Sequence, residues 1–185
     1  MSDRYREILD RADRHFADSQ ARLPDQIICR RGCTMCCHGL FAIGAADVAL
    51  IADGVRSLDA ETRVDVVRRA EAVLEAGRQP HLRECAQEEK EAFFERTSET
   101  PCPALDAGGG CLIYEHRPVV CRTFGLPLQE GTEYLGQECE LNFATASLAE
   151  KMSTAWNLEW EDVLGPDDEY TVAEAIVLGS LFLAE

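Results

Sequence analysis

Cysteine is the residue type whose spacing suggests chemistry. The stretch CRRGCTMCCHGLF, residues 29–41, places four cysteines within nine positions, and two of them are adjacent. Four more lie in the stretch 102–139, beside prolines and glycines that mark turns. Thiolates bind zinc and iron–sulfur clusters, and a two-residue gap between cysteines lets one turn aim two sulfurs at a metal. The candidate metal ligands are Cys29, Cys33, Cys36, Cys37, Cys102, Cys111, Cys121 and Cys139.

The ninth cysteine, Cys85, stands apart from these two segments. It follows Leu82 by one helical turn in a stretch where a helix is predicted. Such a position is typical of a buried thiol that behaves as a small hydrophobic side chain. The other eight cysteines lie in turns and not at periodic helical positions. We therefore predict that Cys85 belongs to the core and that the other eight belong to a site.

The adjacent pair Cys36 and Cys37 limits the geometry of that site. Neighbouring side chains on an extended backbone point in different directions, so at most one of the two cysteines can easily bind a given ion. Both can be ligands if there are two ions or a cluster. Backbone amides in the run 108–110, which is all glycine, could bind anions or donate to thiolate sulfur. Arginines that would offset the thiolate charge flank the cysteines: Arg30, Arg31, Arg117 and Arg122.

Composition indicates the cellular compartment in which these thiols act. A chain of 185 residues with 46% apolar residues can bury an ordinary core, so it is large enough to fold without help from its cysteines. The first twenty residues lack the apolar stretch of a secretory signal. The longest apolar run, from Ala175 to Ala184, is shorter than the ~20 residues that span a bilayer. We expect a cytoplasmic protein, in which clustered thiols stay reduced and indicate a metal or redox site.

Net charge argues against two classes of partner. The chain carries 18 basic and 34 acidic residues, which gives a formal charge of −16. This charge would repel nucleic acids and anionic membranes, so we expect neither as a partner. A protein partner and the oligomeric state are left open.

Helical periodicity surrounds the two cysteine segments. Apolar residues recur at helical spacing in four stretches: 2–20, 44–54, 59–77 and about 80–96. The predicted buried face of the third stretch consists of Val64, Val67, Ala70, Val73 and Leu74. Ala149, Met152, Trp156 and Trp160 restore helical spacing later in the chain, and a last helix is predicted after Pro166.

These patterns predict a mostly α fold. We expect a single helical domain over residues 1–185, with two irregular, loop-rich cysteine segments that form a metal centre. The cysteine-cluster core covers about residues 27–140. An N-terminal helix over 2–20 and C-terminal helices over 143–185 flank this core.

Two segments resemble a known family. "CRRGCTMCCHGLFAIGAADVALIA" and "CPALDAGGGCLIYEHRPVVCRTFG" resemble the CxxCxxCC cysteine-cluster proteins, the YkgJ-like family described as a zinc- or iron-chelating domain. The second segment is the more specific, because nine residues fall in the family's order and spacing: Cys102, Cys111, Ile113, Tyr114, Arg117, Pro118, Cys121, Arg122 and Phe124. The resemblance implies that the chain binds a metal or a cluster.

The sequence departs from this family at two places. Three residues separate Cys29 from Cys33, where the family name implies two. Cys139 follows Cys121 by 18 positions, whereas relatives place further cysteines closer.

Three functions remain open. In the first, the thiolates bind an iron–sulfur cluster or iron, for electron transfer or in support of a modification reaction. In the second, they bind zinc in a structural or metal-handling module. In the third, the thiols act directly in redox chemistry, which is disfavoured because no βαβ pattern accompanies the CxxC motif. Two tetrahedral zinc sites would use eight sulfurs and one four-iron cluster would use four. The adjacent pair favours the iron–sulfur cluster.

Enzymatic activity is also left open. The chain has no glycine-rich phosphate loop with a lysine and no recognisable serine nucleophile. Asp106, Tyr114 and Glu115 lie between candidate ligands and would be the reactive residues of an iron-dependent modifying enzyme. The simpler expectation is that Tyr114 packs over the site and Glu115 faces water. His38 and His116 adjoin ligand positions, but we expect them outside the ligand set because eight cysteines suffice.

Overall fold

The computed structural model describes residues 2–30, 32–77, 82–164 and 170–181. α-Helices dominate this part of the chain, which confirms the mostly α prediction. The backbone divides into two compact units. The first unit consists of Met1–Cys33 and Val119–Pro166, and the second of Thr34–Pro118 and Asp167–Glu185. The single domain over 1–185 stays a prediction. Within the described ranges, no helix has both the length and the apolar character to cross a membrane.

Helix α1, Asp3–Arg22, is the longest element of the first unit. The hydroxyl of Ser2 accepts a hydrogen bond from the N–H of Tyr5 at 3.2 Å, so it caps the helix. The predicted periodicity is correct, because Tyr5, Ile8, Leu9 and Ala12 are buried on one face. The helix runs two residues beyond the predicted end and stops just before Pro24.

A small sheet and three short helices complete the first unit. Its elements are α5 (Val119–Thr123), β2 (Leu128–Glu130), β3 (Glu133–Gly136), α6 (Leu148–Ser153), β4 (Trp156–Asn157) and a 3-10 helix (Leu158–Leu164). Strand β2 lies in the middle of the sheet, antiparallel to β3 and parallel to β4. Helix α1 packs against α5 and against the 3-10 helix.

The predicted helical position of Trp156 is wrong. Trp156 pairs with Leu128 in the sheet, and its side chain is fully buried. Its indole N–H donates to Glu161 at 2.6 Å, which satisfies the one polar atom of the ring. The apolar periodicity misled the prediction because a two-residue strand is too short to show a pattern of its own. Its pairing with a neighbouring strand defines it.

The second unit contains the remaining elements. They are a 3-10 helix (Met35–Cys37), β1 (Ala42–Ile43), α2 (Ala45–Ser57), α3 (Ala60–Gly77), a 3-10 helix (Leu82–Glu84), α4 (Gln87–Thr97), a 3-10 helix (Tyr114–His116), β5 (Tyr170–Thr171) and α7 (Val172–Leu181). Helix α7 packs against α2 and α3, and β1 pairs antiparallel with β5. A Cβ at Gly179 would lie 2.8 Å from the Cα of Ala52, so a glycine is required where α7 crosses α2.

Two helix predictions in the second unit need correction. The buried face of α3 contains Val66 and Ala70, whereas Val64 is 68% exposed. The helix predicted over about 80–96 is divided into a 3-10 helix and α4, with Cys85 at the bend between them. Part of that prediction, residues 80–81, lies outside the described residues, as do residues 165–169 before the last helix.

Candidate metal centre

The division of the chain separates the eight candidate ligands into two sets of four. The first-unit set consists of Cys29, Cys33, Cys121 and Cys139. The second-unit set consists of Cys36, Cys37, Cys102 and Cys111. Each of the eight is a half-buried thiol. The five-residue motif at 33–37 is therefore divided between the units, because Cys33 belongs to one and the adjacent pair to the other.

Backbone hydrogen bonds hold the adjacent pair against the segment that contains Cys102. Cys36 and Cys37 lie in the 3-10 helix, and the N–H of Cys37 donates to the carbonyl of Thr34 at 2.8 Å. The N–H of Cys102 donates to the carbonyl of Cys37 at 2.7 Å. An isolated antiparallel bridge joins His38 to Pro101 beside this bond. Two segments that are distant in sequence are thus fixed side by side.

A second bridge joins Cys111 to the same segment. Leu105 and Cys111 are antiparallel bridge partners, and the N–H of Leu112 donates to the carbonyl of Ala104 at 2.9 Å. The N–H of Leu105 donates to the carbonyl of Cys102 at 2.9 Å, which closes a turn. The chain therefore doubles back between Cys102 and Cys111 and brings these two residues to the same side of the second unit.

Backbone amides point at the sulfurs of both of these cysteines. Burial raises the pKa of both thiols, and the amide of Ala104 at Cys102 and the amide of Ile113 at Cys111 oppose this increase through hydrogen bonds. In both cases the donor lies two residues after the cysteine. A thiol packed only as a small hydrophobe needs no such donor, whereas hydrogen bonds to sulfur stabilise thiolates at metal centres.

Burial and mutual proximity oppose the ionisation of Cys36, Cys102 and Cys111. The hydrogen bond with Cys37 raises the pKa of Cys36, and burial and the charge of Cys37 act in the same direction. Burial raises the pKa of Cys102 to about 11, and proximity to Cys111 and Cys36 contributes. Burial also raises the pKa of Cys111, to which Cys36 adds. The raised pKa values favour the protonated thiols, so a metal that binds them would displace their protons.

Arginines partly offset this electrostatic cost. The hydrogen bond with Cys37 is the main cause that raises the pKa of Cys36, and burial is the main cause for Cys111, but the positive charge of Arg117 opposes both increases. The guanidinium of Arg117 lies 3.7 Å from the centroid of the Tyr114 ring, and its Nε donates to the carbonyl of Tyr114 at 3.0 Å. Arg69, which the sequence analysis missed, lowers the pKa of Cys102. The expectation that Arg117 serves the thiols is therefore supported.

The other predicted arginines behave differently. Arg122 is buried in the first unit and forms an ion pair with Asp13. Arg30 is exposed, and Arg31 lies outside the described residues. An arginine next to a cysteine in sequence is therefore a poor indicator of an arginine next to its sulfur.

The glycine run at 108–110 has a structural role. The carboxylate of Asp106 accepts hydrogen bonds from the N–H of Gly108 at 2.7 Å and of Gly110 at 2.8 Å. These two amides are therefore occupied by a side chain of the same loop, and the prediction that they bind an external anion or a thiolate is wrong. Asp106 organises the loop that returns the chain to Cys111.

In the first unit, Cys29 and Cys139 approach the same glycine. A Cβ at Gly125 would lie 3.2 Å from the Sγ of Cys29 and 3.7 Å from the Cβ of Cys139. Gly125 has φ +96°, a conformation that glycine adopts without strain. Cys29 also packs against the buried cluster of Ile27, Leu126 and Phe143. The glycine thus permits two cysteines from distant segments to meet at a buried backbone.

Asn142 connects these segments and was missed by sequence reasoning. It is 3% exposed, and its amide Nδ2 donates to the Sγ of Cys29 at 3.2 Å and to the carbonyl of Gly125 at 2.9 Å. Its Oδ1 accepts from the N–H of Ile28 at 3.1 Å. The sequence signal was weak: an asparagine three residues after a candidate ligand, in a stretch that favours turns.

The remaining members of the first-unit set come from a turn and a helix. The N–H of Cys33 donates to the carbonyl of Arg30 at 2.9 Å, so this cysteine closes a tight turn. Cys121 lies in α5, the short helix that packs against α1. Both residues belong to the same unit as Cys29 and Cys139.

Other candidates from the sequence have ordinary structural positions. Cys85 is half-buried, and burial followed by the charge of Glu89 raises its pKa. His38 is exposed, with its Nδ1 3.0 Å from the carbonyl of Thr34. Tyr114 is half-buried and Glu115 is exposed, in line with the simpler expectation for these residues.

The donor set fits a soft metal by its chemistry. As the side chains lie, no three His, Cys, Asp or Glu residues within the described ranges are grouped to hold an ion. Each unit nevertheless supplies four sulfur donors, which is the ligand number of tetrahedral zinc and of common iron–sulfur clusters. The hydrogen bonds from Ala104, Ile113 and Asn142 are directed to sulfurs, as the surroundings of a thiolate centre require.

Fold and donor set together define a helical protein of the metal-chelating, cysteine-cluster class. A family model, CxxCxxCC, described as "Putative zinc- or iron-chelating domain", matches residues 28–140. The chain belongs to this family, as its sequence motifs implied. All nine cysteines lie within the matched residues. No curated protein and no solved structure matches the chain.

Proposed function

We propose that this protein binds iron through its clustered thiolates, held as an iron–sulfur cluster, and acts in electron transfer or as an accessory to a partner protein. The observation that supports this proposal most directly is the second-unit set. There, backbone hydrogen bonds hold the turn with Cys36 and Cys37 beside the segment that begins at Cys102, and backbone amides hydrogen-bond to the thiols of Cys102 and Cys111. A bound iron–sulfur cluster would supply one-electron chemistry.

The adjacent cysteines favour a cluster over a single ion. Cys36 and Cys37 belong to the same set. A cluster offers ligand positions on several iron atoms, so neighbouring residues can bind different atoms. Closed zinc sites commonly space their cysteines by two or more residues. The positive charges of Arg69 and Arg117 would offset the negative charge of several thiolates around a cluster.

Zinc is the second candidate, and one contact favours it. Cys36 and Cys37 hydrogen-bond through their side chains, so their sulfurs approach each other closely. Two ligands of one tetrahedral zinc ion lie about 3.8 Å apart, given Zn–S bonds of about 2.3 Å. In that case the protein would be a structural or metal-handling module.

Elemental analysis of protein purified without oxygen tests these proposals. We expect iron with an equal amount of acid-labile sulfide. We also expect a broad absorption band at about 400 nm, which is typical of thiolate-bound clusters. Cys85→Ser, purified in parallel, is the matched control because Cys85 lies outside both sets. A colourless protein that holds zinc would replace the iron–sulfur proposal with the zinc module. Protein with neither metal after anaerobic reconstitution would overturn both.

A further inference from the structure

We propose that the eight thiols form two separate four-sulfur metal sites, one within each unit. The inference rests on the proposed function, because it concerns how the chelating cysteines are grouped. The first-unit set would hold one ion or cluster and the second-unit set another. Each unit supplies the four sulfurs that a closed thiolate site needs, so no cysteine of the eight is left over.

The second-unit site follows from the pairing of its backbone. The bond from Cys102 to Cys37 and the bridge from Leu105 to Cys111 place three strands of chain side by side. The N–H of Leu105 also donates to the carbonyl of Cys102 at 2.9 Å, so the chain turns directly after that cysteine. The backbone of all four cysteines is therefore held in neighbouring segments of one unit. Rotation of these side chains on an already fixed backbone would bring the sulfurs onto a common metal.

The first-unit site is organised around Gly125 and Asn142. Gly125 leaves room for Cys29 and Cys139 where a Cβ would contact the sulfur of one and the Cβ of the other. The Nδ2 of Asn142 donates a hydrogen bond to the Sγ of Cys29, and its Oδ1 accepts one from the backbone N–H of Ile28. The N–H of Asn142 in turn donates to the carbonyl of Cys139 at 2.8 Å. One buried side chain thus holds both cysteine segments, and an amide donor to sulfur recurs in this unit.

The partition also accounts for the irregular spacing of the first cysteine segment. Cys29 and Cys33 belong to the first unit, and Cys36 and Cys37 to the second. The segment is then two ligand pairs for two sites, and the three-residue gap after Cys29 need not match the two-residue gap after Cys33. The adjacent pair then shares its site with Cys102 and Cys111, where a cluster would let the two neighbours bind different iron atoms.

Metal counting in single and double variants tests the partition. The variants are Cys111→Ser in the second-unit set, Cys139→Ser in the first-unit set, the cross-unit double, and the same-unit double Cys102→Ser/Cys111→Ser. Full-length wild-type protein and Cys85→Ser serve as controls. Metal per chain is measured after anaerobic iron and sulfide reconstitution, and separately by titration with Co²⁺, whose absorption reports thiolate ligation.

Two sites predict a simple pattern. Each single variant should lose about half of the metal, and the same-unit double should lose no more than Cys111→Ser alone. The cross-unit double should lose nearly all of it. Hydrogen exchange provides a readout that does not depend on the metal count. Cys111→Ser should speed exchange at residues 102–113, and Cys139→Ser should speed it at residues 125–143, without the reverse effect.

The alternative outcomes are distinguishable. If Cys111→Ser or Cys139→Ser alone removes all metal while hydrogen exchange shows the other unit still folded, the thiols form one shared centre and the two-site proposal is overturned. If Cys139→Ser retains the full load, the first unit holds no metal and the proposal is equally overturned. Both results would leave the proposed function standing. A wild-type protein that binds neither iron, zinc nor Co²⁺ would overturn the proposed function itself.

Discussion

The backbone N–H of Cys102 donates to the carbonyl of Cys37 at 2.7 Å. This bond joins the end of the first cysteine segment to the start of the second. It fixes the distance between two candidate ligands through the main chain, which is stiffer than any side-chain contact. Variants that move either segment should therefore change both stability and metal content.

Gly39→Ala should disturb this junction. Gly39 has φ +83°, and an added Cβ would lie 2.9 Å from the carbonyl oxygen of Ser98. We expect a loss of about 2 to 4 kcal/mol in the free energy of unfolding, from backbone strain and from the clash. Urea denaturation measures this loss, and elemental analysis should show less metal.

Gly136→Ala is the matched control for Gly39→Ala. Gly136 has φ +75°, but the nearest atom to its added Cβ would be 3.6 Å away. Only strain should remain, about 1 to 2 kcal/mol. Equal losses in the two variants would show that the contact with Ser98 is unimportant.

Asn142→Ala should destabilise the first unit. The change removes the acceptor of the Ile28 N–H and the donor to Gly125 and Cys29, and it leaves buried polar groups unpaired. The expected cost is about 2 to 4 kcal/mol in the free energy of unfolding. Thr145→Ala, at an exposed residue on the same segment, removes one exposed hydrogen bond from Gln26 and should cost no more than about 1 kcal/mol. A cost for Asn142→Ala as small as that control would refute the assigned role.

Cys121→Ser should lower the metal content and loosen the loop-rich segment around it. Binding free energy contributes to folding when ligands come from distant parts of the chain. Metal analysis and a thermal melting curve of the same preparation measure the two effects. If both match the wild type, Cys121 is not a ligand.

Cys85→Ala should leave the metal content unchanged. Cys85 lies at the bend before α4, outside both four-cysteine sets. We expect a change of no more than about 1 kcal/mol in the free energy of unfolding, because the thiol is half-buried. A lower metal content in this variant would place Cys85 among the ligands.

Asp59 gives a prediction for the dependence of stability on pH. Its carboxylate accepts hydrogen bonds from the N–H of Thr62 at 3.0 Å and from the hydroxyl of Thr62, at the start of α3. The backbone bond, followed by the hydroxyl bond, lowers the pKa of Asp59 below its ordinary value of 3.8. The stabilisation is therefore complete above the unfolded pKa and is lost as the pH falls through the lower folded value.

Asp59→Ala should accordingly lower the urea midpoint at pH 7, with a difference from wild type that narrows below about pH 4. Chelator is present throughout, so that metal release does not contribute. Asp59→Asn keeps an acceptor for the cap and should show a smaller difference. A difference that stays constant down to about pH 2 would contradict the assignment.

Much of the helical framework follows from the sequence, because long amphipathic stretches carry their own pattern. Helix α1 and helix α2 were predicted to within a few residues. The buried face of α3 was misassigned at Val64, since apolar residues lie on more than one side of that helix and packing decides which are covered. Trp156 was misassigned because a parallel pairing with Leu128 places it in a strand.

The site was predictable in its parts and not in its grouping. Cysteine type and family motif indicate the eight thiols as candidate ligands, and this set stays a prediction. The predicted turn context is wrong for Cys121, which lies in α5. Their division into two sets depends on where the chain passes from one unit to the other, after Cys33 and again after Pro118. Asn142 and Arg69 were missed because they lie far in sequence from the sulfurs they affect.

The interleaving of the two units along the chain has a consequence for biosynthesis. The first unit begins with Met1–Cys33 and is completed only by Val119–Pro166. A ribosome therefore synthesises Cys29 and Cys33 well before the partners Cys121 and Cys139 exist. The second unit likewise awaits its closing helix, Val172–Leu181. The two halves of each unit can therefore meet only after the residues between them have been synthesised.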